Sequence, residues 1–256
     1  GQVKVRILGS GTSSGVPRIG NDWGDCDPAE PRNRRTRASI LIESATTRIL
    51  VDTSPDMREQ LLAADVGDVD AVIWTHDHAD HTHGIDDLRQ LMHARGEPVP
   101  GFAPPATLAG LAARFRYVFE GGGPYRATAT IDPLADGTII GDIVVRTVDQ
   151  PHGGITSAGL RFEHDGKSIG YATDFSEFTL EMEHLYTDLD LWVADALRRE
   201  PHPTHPHLEQ TLGWARKCRS PRTVLVHMDK TMDYRTLLAE LPGGVEPGYD
   251  GMVIVV

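Results

Sequence analysis

Short apolar runs alternate along this chain with segments of helical periodicity, a pattern that predicts an α/β layered protein. Strands are expected at Val3 to Leu8, Ser39 to Ile42, Arg48 to Val51, Ala71 to Trp74, Ile143 to Val148, Ser168 to Tyr171, Leu189 to Val193, Thr223 to Val226 and Met252 to Val255. Helices are expected at Pro55 to Leu62, Ile85 to Ala94, Leu108 to Phe119, Leu208 to Lys217 and Tyr234 to Leu241. The first of these has proline near its first turn, acidic residues early and leucines at helical spacing. Gly9 to Arg37, rich in glycine, proline and arginine, reads as a loop. So does Gly96 to Pro105, whose four prolines suit a surface connection or a cover over a site. No short repeat or low-complexity linker divides the chain, so one domain is expected over residues 1–256.

That length suffices for a large buried core, and 39% hydrophobic with 24% charged residues is ordinary for a globular protein. No run approaches the ~18 apolar residues of a membrane-spanning helix, so no membrane partner is expected. The net charge of −12 works against long nucleic acid, whose phosphates demand a basic surface. It leaves a small phosphate-containing substrate compatible wherever cations gather locally. Cys26 and Cys218 cannot form a disulfide framework, and the first residues read as a strand rather than a signal peptide. A cytoplasmic location is therefore the expectation, and a homodimer is compatible with it.

Chemistry concentrates at Thr75-His76-Asp77-His78-Ala79-Asp80-His81, directly after the apolar run ending at Trp74. Three imidazoles and two carboxylates at the end of a buried strand need a compensating cation. His76 and His78, two apart, can face the same way on extended backbone, while Asp80 and His81 fall on the following turn and can face a second ion. H-x-H-x-D-H thus reads as a binuclear metal site. Further candidates end other strand-like runs: His152 before a glycine pair, Asp174 after Gly170 to Thr173, and His227 after Val226. Ligation by imidazole and carboxylate without thiolate suits two divalent ions, zinc or manganese.

With His152, Asp174 and His227, this motif resembles the metallo-β-lactamase-fold hydrolases over essentially the whole chain. Leu8 to Ser13, Asp52-Thr53-Ser54-Pro55, Gly84 to Arg89 and Gly248 to Met252 resemble the PhnP-type branch, the phosphoribosyl cyclic phosphate phosphodiesterases related to RNase Z. The resemblance implies a four-layer αββα sandwich. It implies that His76, His78 and His152 hold one ion, that Asp80, His81 and His227 hold the other, and that Asp174 bridges them. Asp52 would orient a ligand imidazole, with a turn cap ahead of Pro55 as the second reading. His78 favours hydrolysis, since di-iron oxygen-handling relatives usually carry Glu there.

The segment Glu200 to Leu208 holds three more histidines. By the resemblance His205 is the general acid, catalytic with Asp80, and His202 and His207 are substrate contacts. Arg89 and His93, four apart on the helix after the motif, share a face and are expected to point toward substrate. Arg32, Arg34, Arg35 and Arg37 read as a solvated face or as phosphate contacts. Some PhnP-type enzymes hold an extra structural zinc in the early loop. Here only Cys26 remains, and Lys230 stands where its histidine ligand would be, so that site is expected to be absent.

The expected activity is hydrolysis of a small, cyclic or nucleotide-like phosphodiester, with a metal-bridging hydroxide as nucleophile. The alternatives are a tRNA 3′-processing endonuclease, a thioester or lactone hydrolase, and a non-catalytic nucleotide- or metal-binding module.

Overall fold

The computed structural model describes residues Gly1–Val256. Its first sheet comprises β1 (Lys4–Gly9), β2 (Ser39–Glu43), β3 (Arg48–Val51), β4 (Ala71–Ile73), β5 (Gly101–Ala103) and β6 (Asp132–Pro133). The second comprises β7 (Thr138–Ile140), β8 (Ile143–His152), β9 (Ile155–His164), β10 (Lys167–Ala172), β11 (Leu191–Asp195), β12 (Thr223–Val226) and β13 (Val245–Pro247). The last strand, β14 (Val253–Val255), returns to pair antiparallel with β1 in the first sheet. Strands β3 to β6 run parallel, as do β10 to β13.

Alternation along the inner strands builds the layers. Ile40 and Ile42, Ile49 and Val51, and Ala71 and Ile73 face Leu160, Phe162, Ile169, Tyr171, Val193 and Val224 in one core between the sheets. Their neighbours Leu41, Leu50 and Val72 point the other way, into a second core. That outer core is closed by α1 (Met57–Ala64), α3 (Leu88–Arg95), α4 (Pro105–Arg114) and α5 (Arg116–Glu120), with the single turn α2 (Ala79–Thr82) preceding α3. On the opposite face α6 (Leu180–Tyr186), α7 (Leu208–Lys217) and α8 (Tyr234–Glu240) cover Trp192, Ala194 and Leu225. The result is a four-layer αββα sandwich. Burying each large aliphatic side chain contributes about 1.5–3 kcal/mol. No helix is long and apolar enough to cross a membrane.

Several segments differ from the sequence expectation. Gly96 to Pro105 is no cover: it contains β5, paired between β4 and β6, and leads into α4. The expected helix Leu108 to Phe119 is two, broken at Phe115 with φ −119° and ψ 40°. Strand β9 escapes the pattern because its outward positions are Ser157, Gly159 and Arg161. Gly159 is required there, since a Cβ would stand 2.5 Å from the Tyr186 hydroxyl and 2.7 Å from Gln150 Oε1.

The early loop is ordered from within. Arg35 is buried and donates to the carbonyls of Met232 at 2.5 Å and Asp229 at 3.2 Å, and contacts Cys26 Sγ at 3.6 Å. Lys230 pairs with Asp22 at 2.6 Å. The half-buried Asp250 carboxylate accepts from the backbone and hydroxyl of both Ser10 and Thr36 at 2.6–2.8 Å. Arg32 lies over Tyr234 and Tyr249, Arg34 over Trp23, and Arg37 pairs with Asp56. A uniformly solvated basic face is thus not what forms: Arg35 is structural, and the other three have local partners.

Candidate metal centre

The predicted residues converge where the parallel strands of both sheets end. His76 and His81 follow β4, His152 closes β8, Asp174 follows β10, and His227 follows β12. Asp52, Asp174 and His227 each lie just beyond a parallel strand in left-handed backbone, with φ of 65°, 52° and 60°. Three such turns, unusual for residues with a Cβ, swing these side chains into a common site.

Two groups form. The nearest ligand atoms of His76, His78, His152 and Asp174 lie within 4.8 Å of one another, as do those of Asp80, His81, Asp174 and His227. Asp174 belongs to both. Its Oδ1 stands 3.6 Å from Nε2 of His76 and of His152, while its Oδ2 stands 2.9 Å from His81 Nε2 and 3.3 Å from His227 Nε2. Asp80 Oδ2 lies 3.2 Å from His81 Nε2.

Hydrogen bonds on the far side of the rings set which nitrogen faces inward. His81 Nδ1 donates to Asp52 Oδ2 at 2.6 Å, and His152 Nδ1 donates to the Thr204 carbonyl at 2.9 Å. His76 Nδ1 lies 2.9 Å from the Thr75 hydroxyl. Each ring therefore turns Nε2 toward the shared carboxylate. Thr173 donates to Asp174 Oδ2 at 2.6 Å and fixes its orientation.

His205 joins the same centre. Its Nε2 is 3.7 Å from Asp174 Oδ1, and its Nδ1 donates to the buried Asp195 at 2.8 Å. Asp195, Thr75, Thr173 and Thr204 were not singled out from the sequence. Asp195 had a usable signal, since it ends β11 as Asp174 follows β10; the three threonines had none. Asp77, inside the motif, faces away and pairs with Arg114 at 2.6 Å. Gly110 makes room for it, because a Cβ there would stand 2.3 Å from Asp77 Oδ2.

The electrostatics are those of a site short of positive charge. Burial opposes a charge on His227, yet Asp174, Asp195 and Asp80 push its pKa up to about 9. Burial likewise opposes the charge on His81, and Asp174, Asp80 and Asp52 overcome it and hold the pKa well above the imidazole norm. For Asp174, burial favours the neutral acid, but His227 and His81 keep it ionised well below the usual range. His152 is different: burial takes its pKa down to about 4, only partly offset by Asp174.

Other predicted contacts lie elsewhere. Arg89 and His93 line a separate cleft of about 690 Å³ with Tyr117, Tyr125 and Arg126, and no ligand candidate borders it. They share a helix face as expected, but α3 turns that face toward the 121–126 loop, where Arg89 stacks on Tyr125. His207 begins α7 as its N-cap, its backbone N–H bonded to Gln210. His202 stays near the site, its ring centroid 5.3 Å from that of His205, with Nδ1 accepting from Thr204 N–H.

The donor set fits divalent cations. Nε2 of His76, His81 and His227 is buried without a hydrogen-bond partner, although carboxylate oxygens stand close to each. Such unpartnered ring nitrogens, aimed inward with the opposite nitrogens of His76 and His81 already engaged, are placed for metal ligation once a cation displaces their protons.

Comparison with known proteins agrees. Residues 47–228 match the family described as "Beta-lactamase superfamily domain". A crystal structure of a new diphosphatase from the PhnP family superposes with a TM-score of 0.91 at 32% identity, covering 100% of this chain and 98% of that one. The Zn(2+)-bound PqqB of Methylobacterium extorquens gives 0.77 at 20% identity, covering 98% and 99%. The short form of human tRNase Z gives 0.72 at 19% identity, covering 98% of each chain. The last two are likenesses of fold. Among curated proteins, an octanoyltransferase of Porphyromonas gingivalis (strain ATCC BAA-308 / W83) is 32% identical over 257 residues, 98% of this chain. The chain spans about half that relative's length, 51% of it.

Proposed function

For this chain, which belongs to the beta-lactamase superfamily and is a metal-dependent hydrolase, we propose hydrolysis of a small phosphodiester, cyclic or nucleotide-like, at a pair of divalent ions. The observation that carries this reading is Asp174, whose two oxygens each face a separate imidazole group. His76, His78 and His152 would hold one ion, Asp80, His81 and His227 the other, and Asp174 both. When bound, such ions supply an activated water and neutralise charge developing on phosphoryl oxygens.

The chain's own residues supply the rest. His205 directs Nε2 toward the centre and is held from behind by Asp195, the arrangement of a general acid that delivers a proton to a departing oxygen. Its loop is tied to the ligand His152 through the Thr204 carbonyl, so acid and ligand are positioned together. An alkoxide leaving group gains most from that proton, which favours a phosphodiester over a thioester. The relative described as a diphosphatase acts in the same chemical neighbourhood, on bonds to phosphorus. The acyl transfer in the other relative's name belongs to a protein about twice as long, and both cysteines here are buried away from the centre. The acidic balance of −12 disfavours a tRNA substrate despite the tRNase Z fold.

The test is turnover of a panel of ribose cyclic phosphates, bis(p-nitrophenyl) phosphate, a thioester and pre-tRNA by protein loaded with Zn²⁺ or Mn²⁺. Phosphodiester hydrolysis abolished by Asp174→Ala supports the reading. Thioester or salt-sensitive pre-tRNA cleavage with inert diesters contradicts it.

A further inference from the structure

One carboxylate serves both imidazole groups. Asp52 Oδ2 accepts directly from His81 Nδ1 at 2.6 Å and also from the Thr75 hydroxyl at 2.8 Å. Its Oδ1 accepts from the Thr75 backbone N–H at 2.8 Å. Because the Thr75 hydroxyl proton is committed to an acceptor-only carboxylate, its oxygen can serve His76 Nδ1, 2.9 Å away, only as an acceptor. The proton between them therefore resides on His76 Nδ1, and Nε2 is left as a lone pair facing Asp174. Asp52, Thr75, His76 and His81 are all fully buried, so water cannot substitute for any of these bonds.

We propose that Thr75 is a positioning residue which relays the orienting charge of Asp52 to His76, so that one buried carboxylate organises the ligands of both ions. The inference rests on the metal-pair reading above. It makes the two ion sites unequal toward substitution. Removing the Thr75 hydroxyl leaves Asp52 with His81 intact but strands His76 Nδ1 against a methyl group. Only the His76, His78 and His152 site then loses its fixed ring. Removing the Asp52 charge disturbs both.

The test is Zn²⁺ binding by chelator competition and Co²⁺ titration by visible absorbance, with His152→Ala and His227→Ala marking the two sites. Thr75→Val, close in shape to threonine, is expected to weaken one of the two ions by about 10–100-fold, the range typical of lost outer-shell partners. The loss should match the His152→Ala pattern and leave the other ion within about threefold. Thr75→Ser should restore both affinities, and Asp52→Asn should weaken both. In metal-free protein, ¹⁵N imidazole shifts should place the His76 proton on Nδ1 in wild type and Thr75→Ser, and spread it over both nitrogens in Thr75→Val. A general packing defect would move thermal stability without that tautomer change or that site selectivity. If wild type binds two Zn²⁺ and Thr75→Val binds both unchanged, or weakens both equally, the relay is wrong while the metal pair stands. If wild type binds no Zn²⁺, the metal reading fails and the relay with it.

Discussion

Asp195 Oδ2 accepts a hydrogen bond from His205 Nδ1 at 2.8 Å and so fixes a ring at the edge of the imidazoles grouped around Asp174. His81 is engaged in the same way by Asp52, yet its Nε2 stands 2.9 Å from Asp174 and is walled in completely. The His205 side chain stays 12% exposed, with Nε2 at 3.7 Å. The His81 ring is closed in, whereas the His205 ring keeps an edge open to an arriving molecule.

His205→Ala should therefore lower kcat by about 10²–10⁴-fold, the usual worth of a general acid, with metal content preserved. The loss should be largest for diesters with alkoxide leaving groups and small for p-nitrophenolate, which departs without a proton. Asp195→Asn should show the same leaving-group dependence in milder form. A uniform loss across leaving groups would remove His205 from proton delivery.

The metal-free protein should be most heat-stable near pH 6.5. His227, raised from 6.5 to about 9, contributes stability that is full below 6.5 and is lost as pH rises through 9. His152, lowered to about 4, takes stability away as pH falls from 6.5 toward 4, because the unfolded chain binds that proton first. Loading divalent ions should flatten the alkaline limb, since the cation replaces the proton among Asp174, Asp80 and Asp195. Melting temperatures from pH 4 to 10, with and without Zn²⁺, give the answer; an alkaline limb unaltered by metal contradicts the assignment.

Leu160→Ala, in the core between the sheets, should cost about 2–5 kcal/mol in urea unfolding while leaving metal stoichiometry intact.

Arg89→Ala and His93→Ala should leave kcat/KM within about twofold of wild type, because their cleft touches none of the ligand candidates. A large rise in KM would place substrate there after all.

Much of the centre was legible because its chemistry is written locally. Three imidazoles and one carboxylate of the centre, Asp80, fall within residues 76–81, and His152, Asp174 and His227 each stand at or just past a strand-like run. What sequence reading lacked were partners defined by tertiary approach. Thr75 meets Asp52 only because β3 and β4 pair in parallel, and Thr204 meets His152 only when the 200–207 loop folds over β8. Strand β9 was hidden by the small residues its packing demands, Gly159 above all. Arg89 and His93 show the converse: spacing set their common helix face, but only the packing of α3 determines which way that face looks.

Anomalous diffraction at the metal edge, from crystals of protein loaded with Zn²⁺, tests the central claim most directly. Two peaks on opposite sides of Asp174, one among His76, His78 and His152 and one among Asp80, His81 and His227, are predicted. No peak at Asp174, or a single ion bound away from it, would contradict the account.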